Sequence, residues 1–200
     1  MPKEVDVDQK RSELVEATWR VIRDEGFSAA TLRRVASEAN CTTGALNRYF
    51  SSREALFIET LRVAHQSGRA RMAAVARETK GDLKRLEAIL LEALPLDAER
   101  LREWKTRLAF WGAASESSAL RDENARRFKA WLGFLEEHVA PIVRRPEPRR
   151  GEVELLAGLV DGFALRLVLR SGGVSRAADE AAEIMAAVRF HLRALQKRYV

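Results

Sequence analysis

Residues 31–53, TLRRVASEANCTTGALNRYFSSR, decide how this chain folds and what it does. Leu32, Val35, Ala36 and Ala39 fall at i, i+3, i+4 and i+7, and Leu46, Tyr49 and Phe50 at i, i+3 and i+4. Each set lays one apolar stripe along a helix. Asn40-Cys41-Thr42 lies between them, and Thr42 brings a side-chain oxygen suited to capping the second helix. Two short helices across such a turn make a helix-turn-helix, whose second helix enters the DNA major groove in proteins that bind DNA.

Two helices and a turn also occur in bundles that never meet nucleic acid. The outward residues separate the cases. Between Thr31 and Arg53 the charged residues are Arg33, Arg34, Arg48, Arg53 and one acid, Glu38. The second helix turns Thr43, Gly44, Asn47 and Arg48 outward. These are small, hydrogen-bonding or basic groups that suit base edges and phosphates. A merely solvated face usually carries Glu and Lys.

The surrounding residues carry a family resemblance. A first helix places Leu14, Ala17, Thr18, Val21 and Ile22 on one face and stops at Gly26-Phe27, where glycine is expected in the left-handed conformation. Thr31 starts the next helix, Val35-Ala36-x-x-Ala39 follows, then Gly44-x-Leu46-x-x-Tyr49-Phe50, then Ser51-Ser52-Arg53-Glu54-Ala55-Leu56. Ser51 and Glu54 there have capping-box spacing. This ordered set resembles the DNA-binding domain of the TetR family of bacterial transcriptional repressors. Asn40 stands where the family commonly has Gly, and Asn tolerates a left-handed turn. Asn47 and Arg48 stand where aromatic residues are frequent, and Arg53 replaces the common Lys. The resemblance implies a DNA-binding set of Thr31, Arg33, Arg34, Thr42, Thr43, Gly44, Asn47, Arg48, Tyr49 and Arg53. In it, Thr42, Thr43, Asn47 and Arg48 meet bases or backbone, Gly44 allows close approach, and Tyr49 and Arg53 hold phosphate.

Composition is consistent with an all-α protein: 11 Gly, 5 Pro and no run rich in β-branched residues. No apolar run approaches the ~20 residues that span a bilayer. The start, MPKEVDVDQK, has acids and no apolar stretch, so it does not read as a signal peptide, and the single cysteine excludes an internal disulfide framework. A cytoplasmic location is expected. The net charge of +6 is weak evidence for DNA, because residues 1–55 hold nine basic and nine acidic side chains and sum to zero. A local basic face attracts phosphates even on a neutral domain. Glu4, Asp6, Asp8, Glu13 and Glu16 are expected to lie away from DNA or at its edge.

Six more helices are expected beyond the first three, over about 53–79, 83–94, 98–114, 120–143, 152–170 and 177–197. RRPEPRRG (144–151) reads as a connector, and Ser171-Gly172-Gly173 as a break. Nine helices in this order are what the resemblance to the TetR family implies: an N-terminal three-helix helix-turn-helix domain, residues 1–54, followed by a six-helix regulatory and dimerisation bundle, residues 55–200. VELLAGLVDGFALRLVL (153–169) carries a broad apolar face with Leu155, Leu156, Leu159, Val160, Phe163, Leu167 and Val168, and Gly158 and Gly162 permit close helix approach. The last helix carries Ala181, Ile184, Met185, Val188, Leu192 and Leu195. This pair suits an ordinary internal hairpin, and the family implies instead a homodimer through about 152–198.

Trp104, Phe110, Trp111, Trp131 and Phe134 are the candidate lining of an effector site, against the plainer reading of core packing. RLAFWGAASESSALRDENARRF (107–128) and GLVDGFALRLVLRSG (158–172) resemble, less specifically, the C-terminal domain of the choline-sensing repressors of this family. An aromatic box suits a quaternary ammonium. His65, His138 and His191 have no close metal-ligand partners in sequence, so no metal or cofactor is expected. Cys41 reads as a packing residue with a redox role as the rival. The function read from the chain is a ligand-responsive repressor that binds a pseudo-palindromic double-stranded DNA operator as a dimer, with an unknown small-molecule effector and no membrane partner. The alternatives are a helical protein-interaction module, or an enzyme with a pocket near Trp104, Trp111 and Trp131.

Overall fold

Helices form wherever an apolar stripe finds something to cover it. The computed structural model describes residues 7–170 and 174–199, with side chains described outside 174–179. Among the described residues there are nine α-helices and no strand. They are α1 (Val7–Glu25), α2 (Leu32–Glu38), α3 (Thr43–Asn47), α4 (Arg53–Glu78), α5 (Asp82–Glu92), α6 (Ala98–Ala114), α7 (Ser118–Val139), α8 (Pro146–Arg170) and α9 (Val174–Tyr199). A single 3₁₀ turn, Phe27–Ala29, separates α1 from α2.

Two compact units result. One holds the chain up to Ser67 together with Lys105–Glu123; the other holds Gly68–Trp104 and the chain from Asn124 on. The first has a core in which Leu14, Val21, Val35, Leu46 and Leu56 are each at most 1% exposed. Phe27, Phe57 and Phe110 meet there, with Phe27 4.9 Å from each of the other two rings. Thr18 and Thr60 are buried in this unit, and each hydroxyl donates one turn back, to the Leu14 and Leu56 carbonyls at 2.7 and 2.9 Å. That bond removes the desolvation cost of a buried hydroxyl. In the second unit α9 packs on α5 and α8, burying Leu86, Ile89, Leu156, Val160, Ile184 and Leu195.

Three expectations need correction. The charged segment 144–151 is not a connector throughout, because α8 begins at Pro146 and takes in Pro148. Proline is tolerated in the first helical turn, where its missing N–H would have had no partner. Ser52, not Ser51, caps α4: its Oγ accepts the Ala55 N–H at 3.0 Å, one residue out of register with the expected box. Gly26 closes α1 with φ 91° and ψ 164°, a glycine-only conformation other than the left-handed helical one. The break expected at Ser171-Gly172-Gly173 and the leader acids Glu4 and Asp6 lie outside the described residues.

Candidate nucleic-acid interface

The turn before α3 is built by hydrogen bonds that the sequence supplies residue by residue. Asn40 adopts φ 49°, the left-handed position that ends α2. The Cys41 N–H then reaches the Ala36 carbonyl at 2.9 Å and the Asn40 N–H reaches that of Ser37 at 3.2 Å. These two bonds are the Schellman closure, with asparagine in the place usually held by glycine. Cys41 is half-buried and packs against the core. Thr31 and Thr42 cap α2 and α3, each accepting from the N–H three residues on at 3.1 Å.

Leu46, at 0% exposed, and Phe50, at 3%, anchor the recognition helix. Its other face is left to solvent: Thr42, Thr43, Gly44, Asn47 and Arg48 are all exposed. A Cβ on Gly44 would meet nothing nearer than the Thr42 hydroxyl at 3.9 Å, so packing within the chain does not require glycine there. No acidic side chain lies in α3.

The predicted arginines divide into two kinds. Arg33 and Arg48 are exposed, and no carboxylate among the described residues pairs with either. Arg34 is held by Glu25 at 2.5 Å and by Glu38 at 2.9 Å, and Arg20 holds the other oxygen of Glu38 at 3.0 Å. The hydrogen bonds it donates to Glu25 and then to Glu38 raise the Arg34 pKa, and those from Arg20 and then Arg34 hold the Glu38 carboxyl below the usual carboxylate range. Arg53 lays its guanidinium 4.6 Å from the Phe57 ring centroid and donates to the Ala30 carbonyl at 3.3 Å. Reaching a phosphate would require Arg34 to leave these partners, whereas Arg53 is exposed and bonds the Ala30 carbonyl through Nε alone. Thr31 is exposed and Tyr49 half-buried.

Sequence reasoning overlooked Arg11. It donates to the Tyr49 carbonyl, pairs with Glu59 of α4 and lies 4.5 Å from the Phe50 ring centroid. The signal was available: Arg11 stands three residues before Leu14, on the stripe that α1 turns inward.

The aromatic set falls in two groups. Phe110 is buried in the first unit against Phe27 and Phe57, and Trp111 belongs to the same unit. In the second unit Trp131 stacks on Phe134 at 6.2 Å, and Arg69 sits 5.3 Å from the Phe134 centroid. Trp104, 3% exposed, donates its indole N–H to the Ala93 carbonyl at 2.8 Å. Glu103 and Glu92, both near Trp104 in sequence or space, are each paired with Arg71. Among the described residues no group of His, Cys, Asp and Glu could hold a metal ion, and no helix is long and apolar enough to cross a membrane.

A capped, core-anchored helix with a polar, acid-free outer face defines a helix-turn-helix regulator. Comparison with known proteins makes this specific. Residues 14–60 match the bacterial regulatory proteins of the tetR family, and residues 82–197 match the C-terminal domain of BetI-type transcriptional repressors. Similar curated proteins include the regulator PksA of Bacillus subtilis, 30% identical over 84% of this chain and 83% of that protein. The regulator BetI of Burkholderia thailandensis is 31% identical over 86% of this chain and 88% of its own length. A putative regulator from Saccharomonospora viridis, solved in complex with choline, shares the fold with a TM-score of 0.78 at 18% identity, covering 93% of this chain and 96% of that one. The chain belongs to the TetR family of transcriptional regulators, with a BetI-type C-terminal domain. It is a DNA-binding, ligand-responsive repressor and not an enzyme.

Proposed function

We propose that two copies of this chain bind a pseudo-palindromic operator, each inserting the face of α3 formed by Thr42, Thr43, Gly44, Asn47 and Arg48 into a major groove. The observation that carries this reading is the contrast across a five-residue helix: Leu46 is fully buried while every polar neighbour is open to solvent. One such helix touches too few bases to be selective. Two related by a dyad read half-sites about 34–36 Å apart. Arg33 joins the contact from α2; Thr31 and Tyr49 lie at its margins, Arg34 contributes only by exchanging its present partners, and the exposed Arg53 holds phosphate. In this reading residues 1–54 are the DNA-binding domain, residues 55–200 bind effector and dimerise, and the protein works in the cytoplasm.

The dimer reading is supported by α8 and α9. Leu155, Leu165 and Leu169 are 48%, 40% and 74% exposed, and with Gly158 and Gly162 they form a second apolar stripe at spacings of three and four. Phe190 of α9 is 76% exposed. Monomeric proteins rarely leave such a patch uncovered. The effector is a small molecule bound by the regulatory part, with Trp104, Trp131 and Phe134 of the second unit as the candidate aromatic residues. It binds the conformation in which the two α3 helices no longer fit adjacent grooves, so effector and DNA oppose each other by linkage.

A gel shift with duplex from upstream of the protein's own coding region tests the reading. A retarded band competed by unlabelled duplex of the same sequence but not by random DNA is expected; no sequence preference overturns it.

A further inference from the structure

We infer that Arg11 is a positioning residue for DNA recognition, fixing the orientation of α3 from α1 without touching DNA itself. The inference rests on the reading that α3 is the DNA-contacting helix. A helix of five residues has too few internal hydrogen bonds to hold itself, so its direction depends on tertiary contacts. At its start, the turn through Asn40 and the Thr42 cap fix it. Beyond its last turn the chain runs through Tyr49 and Phe50, and Arg11 grips both. Arg11 Nη1 donates to the Tyr49 carbonyl at 2.5 Å, just past the C-cap of α3. The guanidinium lies 4.5 Å from the Phe50 centroid, and Nη2 pairs with Glu59 of α4.

Three elements therefore converge on one side chain. Only a planar fork can donate in two directions while its face rests on a ring, so lysine is not an equivalent. With both Nη atoms engaged and its face on Phe50, Arg11 acts on DNA through α3. This separates it from Arg48, which is exposed and pairs with no carboxylate among the described residues.

The test uses the full-length protein, wild type and the variants R11A, R11K and E59Q. Fluorescence anisotropy is read against a duplex that wild-type protein enriches from a randomised library and against a scrambled duplex of equal length, over a range of salt. R11A is expected to weaken binding to the enriched duplex by about tenfold, the cost of a lost charged hydrogen bond. Its binding to scrambled DNA and its salt slope are expected to match wild type. R11K is expected to fall closer to R11A than to wild type, and E59Q closer to wild type. Equal losses on both duplexes with a salt slope lower by about one unit would make Arg11 a phosphate contact and overturn the inference. So would an R11A that binds as wild type does. Should R11A not fold at the assay temperature, R11K decides: the same selective loss supports the inference, and wild-type binding overturns it. If wild-type protein enriches no duplex, the α3 reading falls and this inference with it. If it does and the variants match it, the Arg11 inference alone falls.

Discussion

The helix-turn-helix unit and the α8–α9 hairpin treat their outward faces in opposite ways. In the first, α3 buries Leu46 and turns hydroxyls, an amide and a guanidinium to solvent. In the second, α8 buries Leu156, Val160 and Leu167 and then repeats the pattern outward with Leu155, Leu165 and Leu169. A helix with one apolar stripe has satisfied its hydrophobic requirement inside its own chain; a helix with two has not. In the proposed reading the polar face of α3 meets DNA, and the second apolar stripe of α8 meets the same face of a second copy.

The largest expected effect is on the hairpin. In a Leu169→Glu, Phe190→Glu double variant, charge is placed where the partner helices would pack. The dimer dissociation constant is expected to rise about a thousandfold in sedimentation equilibrium, since an unpaired charge in an apolar interface costs several kcal/mol. A variant that stays dimeric would show that these residues are not at the interface. The same chemistry then compares the two regions directly. Leu46→Ala should lower unfolding free energy by about 3 kcal/mol in urea, because it empties a fully buried site. Leu155→Ala, made in the monomeric double variant, should change it by no more than about 0.5 kcal/mol. Similar losses at the two positions would contradict the assignment of Leu155 to an uncovered face.

The arginines offer a smaller contrast inside the DNA-binding unit. Arg48→Ala should flatten the plot of log affinity against log salt by about one unit. Arg34→Ala should leave that slope unchanged and lower thermal stability instead, because its charge is already taken up by Glu25 and Glu38. A flattened slope for Arg34→Ala would mean that the side chain changes partners on DNA.

The smallest effect concerns pH. The folded Glu38 carboxyl has its pKa lowered, so its contribution to stability is fully present above the unfolded carboxylate value of about 4.3 and is lost as pH falls through the lower folded value. The stability difference between wild type and Glu38→Gln should stay level from neutral pH to about pH 5 and shrink below about pH 4. A difference that grows on acidification would contradict the pairing with Arg20 and Arg34.

Much of this was legible in the residues because it depends on spacing along the chain. Leu14, Ala17, Thr18, Val21 and Ile22 share one face of α1, and all are buried. Thr31 and Thr42 cap as their positions imply, and Asn40 takes the left-handed turn. What spacing does not carry is the destination of a long side chain. Arg34 lies four residues before Glu38, which hinted at pairing, but its stronger partner Glu25 is nine residues back on another helix. Arg53, though exposed, lays its guanidinium over Phe57. Phe110 is distant in sequence from Phe27 and Phe57, and no periodicity within α6 reports that it packs against them. Pro146 and Pro148 looked like breakers because proline signals a helix start as readily as a loop. The cap of α4 shifted by one residue between two adjacent serines of equal chemistry.

The most direct measurement compares wild type and Asn47→Ala on the enriched duplex and its scrambled counterpart by anisotropy titration. Asn47 is exposed in the last position of α3. Asn47→Ala should lose most of the preference between the two duplexes while keeping wild-type affinity for the scrambled one, as a base contact requires. An undiminished preference, or a preference absent from the wild type itself, would contradict the claim that this face of α3 reads DNA.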